Sequence, residues 1–361
     1  MPTIGTAGAW HLLGQTVGSG WRVVAPLGWD PTTGTPSGHY NGTGGQFSVA
    51  YIVEKDGKRA FLKAIDFTSA MQSPDVVGEL QRIVEAHSFE SRILDICQGE
   101  RMDRIVVALE SGQAKVGPNL QDSAQFLIFE LADGDVRRRI QKVDGKFKTA
   151  WWLRSLHHTT VGLNQLHLKR IAHQDLKPSN VLCFGHADDF KIADLGRAIC
   201  EGTAGPYDRL PFAGDWGYAP PEILYQQVSP NWNERCLNAD IYLLGSMIFF
   251  FAMGFGCTQL LIQKTEQQFR PFILNGQWTG NYPQILPNVQ TIFTEMLFEL
   301  RSSLESSVAA DLVKAASELC NPEPTLRGHP LERSGNRFAL ARYISLFDVL
   351  SKRAQVAARR A

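Results

Sequence analysis

The sequence of 361 residues has no surplus charge of either sign: 36 lysines and arginines stand against 36 aspartates and glutamates. That balance gives no support to bulk binding of nucleic acid or to attraction onto an anionic membrane surface. Paired cysteines are lacking too. Cys97, Cys183, Cys200, Cys236, Cys257 and Cys320 are scattered, with no Cys-x-x-Cys among them. This excludes a zinc ribbon and a disulfide framework, and points to free thiols in a reducing compartment. No basic segment leads into an apolar run near the N-terminus, so no secretory leader is visible. Internal repeats and low-complexity tracts are absent. One long interval, 241–263, lacks charge altogether, and its first fifteen residues are strongly apolar. That approaches the length of a membrane span. It has no flanking anchors, however, and runs out into Cys257-Thr258-Gln259, so a buried core helix is expected. Hydrophobic residues make up 44% of the chain, enough for a sizeable core.

Periodicity divides the chain into a β-rich part and a helical part. Residues 21–27 alternate as a strand, and 28–45, rich in glycine, threonine and proline, form a long loop. Strands are expected at 46–53 and 58–67, joined by a hairpin turn at Lys55-Asp56-Gly57. Residues 76–97 carry helical spacing through Leu80, Ile83, Val84, Ala86, Ile93 and Leu94. Strands at 105–109 and 126–130 would complete a small antiparallel sheet. From about residue 131 the pattern turns helical. A helix is expected over 151–168, and short strands at 181–184 and 189–192. No register stands out over 265–300.

The most informative stretch reads His173-Gln174-Asp175-Leu176-Lys177-Pro178-Ser179-Asn180-Val181-Leu182, with Asp194-Leu195-Gly196 a short way on. Phosphoryl transfer from a metal-bound nucleotide needs such a set. One group orients the attacking hydroxyl, one neutralises the moving phosphate, and two hold magnesium. The window resembles the catalytic and magnesium loops of the eukaryotic-type (Hanks-type) serine/threonine protein kinases, with Leu195 for the usual phenylalanine. Flanking segments agree. Arg59-Ala60-Phe61-Leu62-Lys63-Ala64-Ile65-Asp66 resembles the strand whose lysine grips the nucleotide phosphates. Gly214-Asp215-Trp216-Gly217-Tyr218-Ala219-Pro220-Pro221-Glu222 resembles the end of an activation segment. Asp240-Ile241-Tyr242-Leu243-Leu244-Gly245 resembles the start of the central helix, and Arg327 the arginine that pairs with the Glu222 position. The resemblance runs from about residue 21 to about 350. It implies an α+β, bilobal protein-kinase fold: a small antiparallel lobe with one main helix over 1–130, and a larger, mostly helical lobe over 131–361.

The resemblance also implies roles. Asp175 is the catalytic base or hydroxyl-orienting residue, and positioning matters more than basicity because the transition state is loose. Lys177 reaches the transferring phosphate. Asn180 and Asp194 hold Mg²⁺, a hard ion suited to oxygen donors. His173 is structural. Lys63 contacts the α- and β-phosphates of ATP and needs a carboxylate partner. Glu79, Glu85 and Glu90 compete for that place, and the surroundings of Glu90 fit best. Backbone amides at Gly44 and Gly45 cap the phosphates, with Ser48 where the family has a third glycine. Backbone groups of Glu130 and Ala132 read adenine. Asp135 meets the ribose or a basic substrate residue, or equally serves as a carboxylate at a helix N-terminus.

Two departures bear on function. Gln174 stands where the family has an arginine that gathers a phosphorylated activation-segment residue, so an activation segment that orders without phosphate is expected. Thr203 is the only serine or threonine between Asp194 and Glu222. Asp215 stands in place of a threonine, where it can pair with Lys177 and repel Asp175 or an acidic substrate. The leading expectation is a cytoplasmic, ATP- and Mg²⁺-dependent protein kinase acting on serine or threonine of a protein partner, with no nucleic-acid or membrane partner. The alternatives are a nucleotide-binding pseudokinase or scaffold, and a small-molecule kinase of the same fold. Lys177-Pro178 and Pro220-Pro221-Glu222 favour peptide substrates over the last.

Overall fold

A computed structural model describes residues 8–30, 32, 48–119, 122–185 and 188–360. The chain forms two compact units. The first runs up to Arg101 and resumes over Val106–Ala132; the second holds Met102–Ile105 and everything from Asp133. The main division therefore falls two residues beyond the 130/131 boundary read from sequence, and four residues of the β-rich part belong to the helical unit. Local chemistry explains the excursion. The Arg104 amide donates to Gln165 Oε1 (3.2 Å) and its carbonyl accepts from Ile192 N–H (2.8 Å). A Cβ at Gly162 would lie 2.8 Å from that carbonyl, so the helix must be bare there.

The first unit is built on a six-stranded antiparallel sheet in the order β1-β2-β3-β4-β6-β5. Its strands are β1 Thr16–Val17, β2 Trp21–Pro26, β3 Ser48–Lys55, β4 Lys58–Ile65, β5 Ala108–Lys115 and β6 Ser123–Glu130. The turn from β3 to β4 places Asp56 at φ 51° and Gly57 at φ 74°. Two positive φ angles give the mirror-image turn whose twist matches paired strands. Alternate residues of β3 and β4 (Val49, Tyr51, Val53; Ala60, Leu62, Ala64) pack with Trp21, Val23, Phe126 and Ile128 into one core. The strand expected at 105–109 is displaced. Ile105 and Val106 are apolar because they are buried connectors, whereas β5 is a polar edge strand that is half exposed along its length. Edge strands of that kind carry no apolar alternation to read. The helix Val76–Gly99 is N-capped by the Asp75 side chain, which accepts from Gly78 N–H at 3.0 Å.

The second unit is mostly helical. The helix Lys148–Leu168 and the hairpin strands Val181–Phe184 and Asp189–Ile192 fall where periodicity put them. The charge-free interval forms the helix Asn238–Met253, almost all of it buried, closed by Gly254 at φ 86°. Residues 233–253 are long and apolar enough to cross a membrane by length and composition, but 83% of that window is buried inside the protein. The stretch 265–300, which has no legible register at its start, begins with single-turn segments. It becomes the helix Tyr282–Ser303 at Asn281, which forms a reciprocal cap with Gln284. The helices Ser306–Leu319 and Ala341–Arg360 complete the unit.

Among the buried histidines, one in each unit has its pKa pushed far down. Burial, and then the Lys63 ammonium, push His87 down to about 4; burial, and then Arg104, push His158 down to about 3. The folded chain refuses protons that the unfolded chain takes up below about 6.5. Stability should therefore be intact above pH 6.5 and fall as pH drops toward 4, by up to about 1.4 kcal/mol per pH unit for each imidazole. Urea midpoints measured between pH 7.5 and 4.5 should decline, and His87→Gln should flatten the decline.

Candidate active site

The site rests on a buried carboxylate. Asp240, at 0% exposure, sits in the first turn of the central helix. Its Oδ2 accepts from the His173 amide (2.7 Å) and His167 Nε2 (2.9 Å), and its Oδ1 from the Gln174 amide (2.7 Å). A buried carboxylate is tolerated only when hydrogen-bonded in this way. The clamp holds Gln174 at φ 66°, a left-handed conformation that is unfavourable for a residue with a side chain. His173 then fixes the loop's other end. Its Nδ1 accepts from the Asp175 amide at 3.1 Å, so its proton lies on Nε2, which donates to the Ala193 carbonyl at 3.1 Å. Both ring nitrogens are occupied, and His173 ties the loop to the residue before Asp194.

Asp175 is 8% exposed and its carboxylate is held from several sides. Oδ1 accepts from the Asp215 amide at 3.0 Å, Oδ2 from Asn180 Nδ2 at 3.1 Å, and Lys177 Nζ lies within 3.2 Å of both oxygens. Asn180 Nδ2 also donates to the Asp175 carbonyl (2.8 Å), and its Oδ1 accepts from the Ser179 hydroxyl at 3.3 Å. Lys177 is shared with a second carboxylate, Asp215 Oδ2, at 3.4 Å. Burial pulls the Lys177 pKa down, but Asp175 and then Asp215 outweigh it, and the net direction is up. The remaining Asp215 oxygen accepts from Gly217 N–H at 2.9 Å. Gly214 allows this segment to cross the loop: a Cβ there would lie 2.1 Å from the Gln174 carbonyl. Asp194 adopts φ 62°, ψ 70°, followed by the buried Leu195.

The segment between Asp194 and Glu222 is held by contacts within itself and with neighbouring residues of the second unit. Ile199–Cys200 pairs with Ile171–Ala172. Arg170 bonds Glu201 and lies over Trp232 at 4.7 Å; Arg197 lies over Tyr207 at 4.8 Å. Asp208 accepts from Gly205 N–H (2.7 Å) through its side chain and from Arg235 (3.2 Å) through its carbonyl. Gln174 takes no part. Its side chain is buried, donates to the Cys236 carbonyl at 2.9 Å, and leaves Oε1 without a partner among the described residues. At the far end Glu222 makes a two-pronged pair with the fully buried Arg327 (2.7 and 2.8 Å).

In the first unit, Lys63 on β4 donates to both oxygens of Glu90, at 3.0 and 3.1 Å. The competing glutamates are engaged elsewhere, Glu79 with Arg82 (2.6 Å) and Glu85 with Gln81 (2.7 Å). His87, one turn before Glu90 on the same buried face, is the neighbour that sequence reading missed; its spacing of three from Glu90 was the available signal. Gly44 and Gly45 lie outside the described residues. Ser48 opens β3 opposite Ile65. Glu130 ends β6, where its amide donates to the Val107 carbonyl (3.2 Å) and its Oε1 accepts from the Val107 amide (2.8 Å). Ala132 is the last residue of the unit. In the second unit, Asp135 caps the short helix Val136–Arg139: Oδ1 accepts from Arg138 N–H (3.0 Å), and Oδ2 lies 3.6 Å from Arg138 Nε. The helix-capping role expected of it is thus present.

The protein kinase domain profile matches residues 42–328. The chain belongs to the protein kinase family. Among curated relatives, a cell division control protein 2 homolog of Trypanosoma brucei brucei is 26% identical over 224 residues, which is 61% of this chain and 68% of that protein. An Aurora kinase of Dictyostelium discoideum is 27% identical over 215 residues, 58% of this chain and 48% of that protein. Cyclin-dependent kinase E-1 of Arabidopsis thaliana is 32% identical over 139 residues, 35% of this chain and 30% of that protein. The kinase domain thus spans about two thirds of the first relative's length and half or less of the other two.

The domain is that of an ATP-dependent serine/threonine phosphotransferase, with ATP as donor and Mg²⁺ as metal. The donor set fits that ion. The amide oxygen of Asn180, which has lone-pair capacity beyond its one bond from Ser179, and the carboxylate of Asp194 are hard oxygens of the kind that bind Mg²⁺ alongside phosphate and water. Arg327→Met should leave Glu222 as an uncompensated buried charge. It should destabilise the kinase by about 3–5 kcal/mol, seen as a lower urea midpoint.

Proposed function

We propose that the protein transfers the γ-phosphate of ATP to serine or threonine hydroxyls of a protein substrate, with Asp175 orienting the hydroxyl and Lys177 offsetting charge on the moving phosphate. The observation that carries this reading is the fixed carboxylate of Asp175. Three separate donors, from Asp215, Asn180 and Lys177, hold it. A group so held costs no reorganisation when the hydroxyl arrives, which is what a loose transition state rewards. Asn180 Oδ1 and Asp194 would hold Mg²⁺, which when bound neutralises charge on the phosphates. Lys63, kept in place by Glu90, would orient the α- and β-phosphates. Backbone groups near Glu130 and Ala132 would read adenine, and the glycines at 44 and 45 would cover the phosphates.

The activation segment works without phosphorylation in this reading. The contacts that order it are already internal, and Gln174 offers no guanidinium to a phosphate. Asp215 sets substrate charge: its side chain is 47% exposed beside Asp175, so it disfavours an acidic residue next to the acceptor. One observation favours a slower, nucleotide-binding scaffold: Lys177 is held by two carboxylates and not one. All six cysteines are buried thiols, which supports a reducing, cytoplasmic location.

Labelled ATP with a basic serine-containing protein separates these readings. Transfer should be lost in Asp175→Asn, with ATP binding retained in a thermal-shift assay. ATP binding without transfer in the unaltered protein would favour the scaffold. Thr203→Ala should keep full activity, and a large loss would refute phosphate-independent ordering. Asp215→Thr should shift preference toward peptides with glutamate beside the serine by about fivefold, the effect of one ~1 kcal/mol charge contact near a surface. Matched arginine and glutamate peptides measure it.

A further inference from the structure

The second unit contains a cavity of about 380 Å³ that involves none of the residues placed in phosphoryl transfer. It lies against the helix Lys148–Leu168 and the C-terminal helix, and its size suits a small organic ligand. One wall is apolar and aromatic, with Phe147, Ala150 and Trp151. The polar groups facing it are of an unusual kind.

Arg154 lines the cavity half-buried and makes no hydrogen bond or ion pair among the described residues. An unpaired guanidinium at the wall of a cavity offers planar, two-pronged donation to an entering oxyanion. His158 lines the same cavity with a side chain only 9% exposed. Its Nδ1 edge is filled, because Arg104 Nη1 and the Phe190 amide both donate to that nitrogen, each at 3.2 Å. The proton therefore sits on Nε2, which has no partner among the described residues. What His158 shows the cavity is this second edge, a neutral N–H donor. Burial and Arg104 keep it neutral, with a pKa near 3. Two acids also line the cavity, and neither forms an ion pair with Arg154. Asp348 is paired with Lys352 at 2.6 Å, and Asp188 is exposed. His157 donates through Nδ1 to the Ile344 carbonyl at 3.0 Å.

We propose that this cavity binds a small aromatic oxyanion, its charged end on Arg154 and the His158 N–H, its ring against Phe147 and Trp151. Carboxylate and phosphate monoester share the chemistry required, a planar apolar body ending in an oxyanion. Binding at this site does not depend on the catalytic reading.

The test is calorimetric titration of the full chain with indole-3-carboxylate, phenyl phosphate, inorganic phosphate and the neutral indole-3-carboxamide, in the presence of saturating ATP and Mg²⁺. At least one aromatic oxyanion should saturate a single site, and the neutral amide should bind at least about tenfold more weakly, the scale of one charge-assisted hydrogen bond. Whether the carboxylate or the phosphate binds tighter names the source class. Arg154→Met should weaken binding about tenfold or more and leave the ligand-free melting temperature and phosphotransferase activity unchanged. Ala150→Phe, which fills the cavity from its apolar wall, should abolish binding. No saturation by either aromatic oxyanion would overturn the proposal, as would undiminished binding in Arg154→Met or displacement by ATP. Inorganic phosphate binding as tightly as phenyl phosphate would overturn the aromatic half of it.

Discussion

Everything in the catalytic region leans on Asp240. Taking a carboxylate out of water costs several kcal/mol, and in this chain three N–H donors offset that cost. Two of them are backbone amides of the catalytic loop, so the loop cannot relax without exposing the charge. The strained backbone of Gln174 is a consequence of that clamp. So is the direction of Asp175, which leaves the loop immediately after it. The central helix has no charged residue beyond Asp240 because it is buried on every side, and the one charge it carries does this work.

From that anchor the site is assembled through backbone as much as side chains. The Asp175 amide is held by His173, the Asp175 carboxylate by the Asp215 amide, and the loop carbonyl of Gln174 leaves room only for Gly214. Side-chain identity at 215 is therefore free to vary without loosening Asp175, since its amide makes the critical bond. A carboxylate there alters charge, and leaves geometry intact. The same logic applies to Gln174. Its side chain is turned into the core, and the activation segment finds its order in Arg170, Glu201, Trp232, Arg197 and Tyr207 instead.

Much of this was legible beforehand for physical reasons. Strands 181–184 and 189–192 are short, apolar and bounded by a turn, and they sit where expected. Glu90 was chosen over two rivals, and the rivals have local partners on their own helix. The failures are equally instructive. Apolar Ile105 and Val106 read as a strand because burial as a connector leaves the same imprint as burial in a sheet. The true strand beside them is a polar edge, and edges lack alternation. Asp135 offered two roles at equal weight; its Oδ1 caps a helix by accepting from the Arg138 amide, a local bond that spacing could show, whereas a contact to a ligand is not a property of the chain alone.

By itself the amino-acid sequence determined the order of chemical groups: which carboxylate, ammonium and amide stand at what separation, and that a sheet with one helix precedes a helical body. Those are properties of spacing, and spacing along a chain is local. Tertiary structure alone decided which contacts are shared. Lys177 lies between residues 175 and 215, His158 has one ring edge filled and the other without a partner among the described residues, and Arg154 makes no ion pair among them. Each of these depends on segments far apart in the chain meeting at hydrogen-bond distance, where the energy falls steeply with an ångström of displacement.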